Sequence, residues 1–423
     1  MIQRFDIVVV GGGPAGMAAV ACAAEGGRHV AVVDDNFTLG GQIWRGKDTP
    51  LKTAEVWRAR VAAANVVRIQ GARVYAQPAP GVLRAEQNGS YVDVAYEKLI
   101  LATGARERFL PFPGWTLPNV AGAGGLQALV KNGLFVEGKR IVVAGSGPLL
   151  LAVAAYLKRH KAKVLAICEQ APLSRLLKFA TSIVTDKEKL LQAVVYKSQT
   201  LSAPFHTGCW PVSAQGKERL ESVTLRKGNR TWTIACDYLA CGFHLVPNTE
   251  VPELLGCRVL DGKVAVDEWQ QTSILDIYCA GEPTGVGGVE LALVEGQIAG
   301  YAAAGLPDNA RSLFAQRARQ RKFAQKLEEA FALDSALKEL PQDDTVICRC
   351  EDVSYLTLKD EPSWRAAKLH TRCGMGPCQG RICGAATEFL FGWNAGSVRP
   401  PIFPATLSCL EAIPELLELQ ETR

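Results

Sequence analysis

Apolar residues come in two nearly matching blocks. In "IVVVGGGPAGMAAVACAAEGGRHVAVVDDN" an unbroken apolar run stops at three glycines, resumes as an alanine-rich stretch of helical length, and ends in a second apolar run. The pattern predicts a buried strand, a glycine turn, a helix and a second buried strand. About 134 residues further on, "IVVAGSGPLLLAVAAYLKRHKAKVLAICEQ" repeats it. Between and beyond the blocks, "YVDVAYEKLILATGARER" alternates and then turns wholly apolar before a turn at Thr103-Gly104-Ala105. "TSILDIYCAGEPTGVGGVELALVEGQIAG" reads as a strand, a glycine-rich turn and a helix starting near Gly287. In "RARQRKFAQKLEEAF", Phe323, Leu327 and Ala330 recur at helical spacing, which predicts an amphipathic helix with a solvated basic face.

The first block carries chemistry. Gly11, Gly13 and Gly16, with Pro14 and Ala15 between them, fit G-x-G-x-x-G. Such glycines give a tight turn, let the backbone approach a pyrophosphate, and let helix and strand pack closely, with the phosphates at the helix N-terminus. Asp34 ends the second strand, where a carboxylate accepts ribose hydroxyls. The second block keeps Gly145 and Gly147 but has Leu150 at the third glycine and Cys168 at the acid, with Glu169 one residue later. Two readings stay open for it: a working adenine-nucleotide site for NAD or ATP, or a retained but empty fold.

A chain of 423 residues exceeds one compact core and suggests two or three domains. The net charge of +5 implies no polyanion partner, so nucleic-acid binding is not expected. The longest uncharged run is broken by Gly-Ser-Gly-Pro, so no integral membrane segment is expected, and Asp6 and three glycines interrupt any signal peptide. The expectation is a cytoplasmic chain whose thiols stay reduced, with any peripheral membrane contact made through its electron acceptor. Cys22, Cys168, Cys209, Cys236, Cys241, Cys257 and Cys279 are singly placed and read as small core residues. No redox dithiol is spaced for disulfide exchange before residue 348, and His244 reads as a structural histidine.

Five of the thirteen cysteines fall within 36 residues near the C-terminus. Cys348 and Cys350 form a C-x-C, and Cys378 and Cys383 form a C-x4-C; Cys373 stands the same distance before Cys378. Thiolates from two loops suit zinc or an iron–sulfur cluster. Structural zinc favours C-x2-4-C knuckles, whereas C-x-C sulfurs reach one iron of a two-iron cluster. Gly374, Gly376 and Gly380 let the second loop wrap closely around a cofactor.

The "ATG" at Ala102, Thr103 and Gly104, the "GE" at Gly281 and Glu282, and "LGGQIWR" with Gly40, Gly41 and Gln42 resemble two-dinucleotide-binding-domain flavoproteins of the glutathione- and thioredoxin-reductase type. That resemblance implies an α/β fold of two Rossmann-like domains, one inserted in the other. FAD would lie on the first fingerprint, with Glu282 at its ribityl chain. "CRCEDVS…TRCGMGPCQGRIC", "GSGPLLLA" and "VRPPIFPATL" resemble the family that includes the larger flavoprotein chains of opine oxidase and hydrogen cyanide synthase and the related proline and hydroxyproline dehydrogenase subunits.

This implies a small C-terminal [2Fe-2S] domain of the bacterioferritin-associated-ferredoxin type, with Cys348, Cys350, Cys378 and Cys383 as ligands and Cys373 spare. The implied layout is an FAD domain at residues 1–120 and 240–305, a second nucleotide domain at 121–239, a helical linker at 306–340, the cluster domain at 341–395 and a tail at 396–423. The implied function is electron transfer in a hetero-oligomer. A D-amino-acid-oxidase-like FAD subunit oxidises a CH–NH bond of an amino acid, opine or imino acid, FMN lies between subunits, and electrons leave to a dye or respiratory acceptor. The chain itself then carries no catalytic residue. A self-contained NAD(P)H-dependent reductase is the alternative, and a degenerate flavoprotein scaffold the third reading.

Overall fold

In the computed structural model, the described residues are 2–45, 52–182, 200, 203–394 and 398–411, and the chain divides into two compact α/β units. One comprises Met1–Arg106, Val246–Ala324 and Ser397–Arg423; the other comprises Glu107–Leu245 and Gln325–Gly396.

In the first unit, parallel strands run in the order Val66–Gln70, Val30–Asp34, Ile2–Val10 and Ser90–Leu101, with Ile277–Cys279 also paired to the last. Ala72–Ala79 and Val82–Gln87 extend the sheet antiparallel. The Val30–Asp34 strand is buried at every position, as a parallel strand covered on both faces requires. Helices Pro14–Ala24 and Val289–Ala304 lie against each other. Their approach depends on absent side chains: a Cβ on Gly296 would fall 2.1 Å from the Ala15 carbonyl oxygen, and one on Gly300 would fall 2.4 Å from that of Ala19.

The second unit holds a parallel sheet ordered Phe205–Thr207, Lys163–Glu169, Arg140–Ser146, Tyr238–Phe243, Val120–Gly122. Helix Leu149–Arg159 follows the strand that ends at the second glycine turn. A separate antiparallel sheet joins Cys209–Gln215, Ser222–Lys227 and Arg230–Ala235. The cysteine-rich end pairs Val346–Cys348 with Val353–Ser354 and adds helices Trp364–Thr371 and Cys383–Phe391. Ile347, Leu358, Trp364 and Ala367 give it a small core of its own.

The observed boundaries differ from those expected. The nucleotide units exchange at Arg106/Glu107 and Leu245/Val246, earlier and later than residues 120 and 240. The expected linker is split within helix Phe314–Phe331, after Ala324. The cysteine-rich segment is part of the second unit. The tail packs within the first, where Ile402 N–H donates to the Tyr75 carbonyl at 2.9 Å and Tyr75 Oη donates to the Cys409 carbonyl at 2.6 Å. The basic face of the Phe314–Phe331 helix is not wholly solvated either. Arg317 is buried and donates to the Glu268 carbonyl, and Arg321 pairs with buried Glu295 at 2.8 Å. Among the described residues no helix is long and apolar enough to cross a membrane.

Arg84 and Asp93 face each other across paired strands as a bidentate pair, at 2.7 and 2.8 Å, with side chains 3% and 6% exposed. Removing one partner strands a buried charge. Asp93→Ala is therefore expected to destabilise the first unit by about 3–5 kcal/mol in chemical denaturation. Replacing both by leucine or methionine should cost much less.

Candidate functional site

At the first glycine turn, Val10 lies opposite Val33, and continuing that register sets Gly11 opposite Asp34. Gly11 has φ +103, and a Cβ there would fall 2.2 Å from the Ala102 carbonyl oxygen. Asp34, 6% exposed, accepts the Gly12 N–H through Oδ2 and the Asn36 N–H through Oδ1 at 2.7 Å. Gly40 N–H donates to the Gly12 carbonyl at 2.7 Å, and a Cβ on Gly41 would reach the Gly13 Cα at 3.0 Å. Gly13 caps helix Pro14–Ala24 without a side-chain hydrogen bond, so the first-turn N–H groups face a groove walled by glycine backbone. Gln42 is exposed and accepts from Arg45 at 2.8 Å.

Glu282 lies against the Ala102–Gly104 turn and accepts the Ala105 N–H, while burial pushes its carboxyl above the ordinary carboxylate range. A Cβ on Gly281 would come 2.8 Å from that of Ala15, so this turn and the fingerprint helix meet. Two supports here are ones sequence reasoning missed. Buried Glu295 accepts from Gly281 N–H at 3.0 Å and from Thr284 Oγ1 at 2.8 Å, and it is braced by Arg321. Asn248 binds both the carbonyl of Thr103, at 2.9 Å, and Arg106, at 2.8 Å. The signal for Glu295 was available: a lone acid in the middle of an otherwise apolar helical run.

The second glycine turn corrects the sequence reading. Between Val164 and Ala166 the strand bulges, which advances it by one residue and sets Glu169, not Cys168, opposite Gly145. Glu169 then does what Asp34 does. It accepts the Gly147 N–H at 2.8 Å and the Ala171 N–H at 2.8 Å, and like Asp34 it reaches 22 residues back along the chain. The following helix starts at Leu149 behind a Pro148 cap, so Leu150 is buried among Val143, Val153 and their neighbours instead of wedging helix from strand. Cys168 is a buried core residue in thiol contact with Cys209.

The crevice beyond these strands is filled by the chain itself. Ser146, Gln170 and His244 follow or end three adjacent strands, and all three bind one carbonyl, that of Phe331, at 2.9, 3.2 and 2.5 Å. Gln170 also donates to the Ala332 carbonyl at 3.2 Å and accepts from Asp334 N–H at 3.1 Å. The Phe331 ring stands edge-on to Phe179, 5.7 Å away. On the other side Glu107 accepts the Gly124 and Gly125 N–H groups at 2.7 and 2.9 Å, so a carboxylate of this chain occupies that helix start. Ligands of open α/β sheets bind at the carboxyl ends of strands, and here that place holds the 331–334 segment and two acids. His244 thus has a structural partner, as expected.

In the cysteine-rich segment the sulfurs of Cys348, Cys373 and Cys383 lie within 4.8 Å of one another, all buried. Cys373 and Cys383 donate to Cys348, whose thiol is pulled down to about 2. Cys350 is exposed and faces Cys378, whose backbone N–H and thiol both reach it. A Cβ on Gly376 would overlap the Cys350 Cβ at 2.2 Å, so only glycine lets the two loops close. The geometry returns Cys373, set aside on sequence grounds, to the thiol cluster.

The profile of the pyridine nucleotide-disulphide oxidoreductases matches residues 5–300. The chain belongs to that family. This oxidoreductase is also 30% identical to the hydrogen cyanide synthase component HcnB of Pseudomonas protegens over 90% of each chain. It is 30% identical to the opine oxidase "A" component of Rhizobium meliloti, itself one subunit of that enzyme, over 96% of this chain and 98% of that one. Its fold resembles the solved L-proline dehydrogenase of P. horikoshii, with TM-score 0.67, 19% identity, and coverage of 97% of this chain and 80% of that one.

Family membership implies FAD, and the first turn of the oxidoreductase fits it. The glycine-walled groove, the uncapped helix start and the buried Asp34 are the features a dinucleotide pyrophosphate and ribose require. Asp34→Ala removes a charged acceptor and frees two N–H groups. FAD affinity is then expected to fall about tenfold or more, measured by fluorescence on titration of the apoprotein.

Burial lifts the Glu169 carboxyl to about 7. A carboxyl raised in the fold stabilises below its ordinary pKa, and that contribution is lost as pH rises through about 7. The second unit is accordingly expected to unfold at lower denaturant at pH 8 than at pH 6, and Glu169→Gln should flatten that difference.

Proposed function

We propose that this oxidoreductase is the electron-transferring subunit of a heteromeric dehydrogenase for amino acids, opines or imino acids. FAD lies on the first glycine turn. The residues that would hold it are Gly11, Gly13, Pro14, Ala15, Gly16, Asp34, Gly41, Gln42, Ala102, Thr103, Gly104, Gly281 and Glu282. A [2Fe-2S] cluster lies in the C-terminal segment on Cys348, Cys350, Cys378 and Cys383. When bound, the flavin supplies two-electron acceptance and one-electron release, and the cluster carries single electrons. The protein residues position these groups: Asp34 and the glycine turn fix the nucleotide half, Glu282 and the Glu295–Arg321 brace fix the second turn, and the thiols gather the metal. A partner flavoprotein, D-amino-acid-oxidase-like, removes hydride from the CH–NH bond. The two relatives described above are by name subunits, which supports a hetero-oligomer.

The observation that carries this reading is the closed second crevice, found together with a gathered thiol cluster. A self-contained NAD(P)H reductase needs the adenine half of the cofactor seated on the second turn, around Gly145 and Gly147. There Pro148 offers no N–H, Glu169 already takes that of Gly147, and the Phe331 carbonyl is fastened over the strand ends. Electrons then enter from a partner.

One preparation tests the reading. The chain co-expressed with a neighbouring amino-acid-oxidase-like gene is expected to co-purify with its product and to carry about two irons and two sulfides per copy of this chain. Its flavin should bleach with an imino or amino acid and resist micromolar NADH in stopped flow. Rapid bleaching of the isolated chain by NADH overturns the proposal in favour of the reductase.

A further inference from the structure

The cluster assigned above needs four thiolates, and the segment gathers five. Cys373 is the surplus, yet it is the most deeply set, 0% exposed, with Cys348 and Cys383 at 1% each. The ligands on the other side are less protected: Cys350 is exposed and Cys378 intermediate. Sulfurs sharing one tetrahedral metal at about 2.3 Å stand roughly 3.8 Å apart, so three sulfurs already within 4.8 Å need little movement to bind one ion. The Gly374 N–H donates to the Cys348 sulfur at 3.5 Å, which ties the backbone just after Cys373 to the same centre.

The loop is shaped to present Cys373 inward. Gly374 has φ +80, and a Cβ there would fall 2.5 Å from the Trp364 ring; one on Gly380 would fall 3.0 Å from it. The indole therefore walls the loop at both glycines, on either side of Cys378. Cys373, Cys378 and Cys383 follow one another at equal steps of five residues, the first and last buried and the middle one at the rim. A purely space-filling residue in this position has no need of sulfur facing two other thiols.

We propose that Cys373 is a reserve ligand: its thiolate takes the coordination position left by Cys378 when that residue is lost. The step is a ligand exchange with no change in oxidation state. One metal–sulfur bond to position 378 is replaced by one to Cys373, whose proton leaves to solvent. It rests on the cluster reading given above, and it makes the buried side of the site redundant where the rim is vulnerable.

The test is a set of serine variants of the full chain, purified anaerobically and compared by iron and sulfide content, visible circular dichroism and electron paramagnetic resonance after reduction. Cys373→Ser is expected to match the wild type. Cys378→Ser should keep at least about half of the iron and sulfide, with shifted spectra. The double variant should hold neither, while retaining the far-ultraviolet circular dichroism of the wild type. Cys378→Ala, which offers no oxygen ligand, should behave like Cys378→Ser and so separates a thiol substitute from a serine one. A loaded wild type whose Cys378 variants are as empty as the double variant overturns the reserve role alone, as does loss of the cluster in Cys373→Ser. A wild type without iron and sulfide after anaerobic reconstitution overturns the cluster reading and this assignment together.

Discussion

Each of the two dinucleotide folds is closed by the same small contact: a carboxylate at the end of the second strand holding the N–H of a glycine turn. The contact ties strand, turn and helix start into one rigid corner. It also satisfies donors that would otherwise be buried without partners, which is costly in an interior of low polarity. Where the corner stays open, as around Gly12 and Asp34, it forms a groove for a nucleotide. Where it is overlaid by the chain, as around Gly147 and Glu169, the same corner becomes part of a core. Presence of the motif and availability of the site are thus separate properties, and the second turn has the one without the other.

Much of this was legible in the sequence. The apolar blocks, the glycine turns, Asp34 and the crowding of cysteines all depend on neighbours close along the chain, and their spacing carries the information. The rest depended on long-range or single-residue events. A one-residue bulge in Lys163–Glu169 moved the acid from Cys168 to Glu169, and bulges leave no periodic trace in an apolar strand. The closure of the second crevice joins Phe331 to residues 87 to 185 positions away. The brace from Arg321 to Glu295 likewise turned a helix face that read as solvated into an interior one, because charge in a helical pattern does not say which neighbour it will find.

The thiol segment shows the limit of spacing arguments from the other side. C-x-C and C-x4-C describe which sulfurs can share a turn, but not which sulfurs face one another once a tryptophan wall and three glycines have set the loop. Cys373 was separable in the sequence and is inseparable in the fold.

Trp115 has a consequence for how the segment behaves before any metal arrives. Its indole Nε1 donates to the Val346 carbonyl at 2.6 Å, two residues ahead of Cys348. At the other end of the intervening stretch the Phe331 carbonyl is pinned by three donors. Both anchors belong to the second unit, so the strand that carries the first ligand is tethered at a fixed place by the protein alone. Metal uptake therefore completes an arrangement already ordered by hydrogen bonds, in contrast to small domains that fold only around their ion. The chain can be made, can fold and can wait for its metal without exposing the segment as a loose, oxidisable tail.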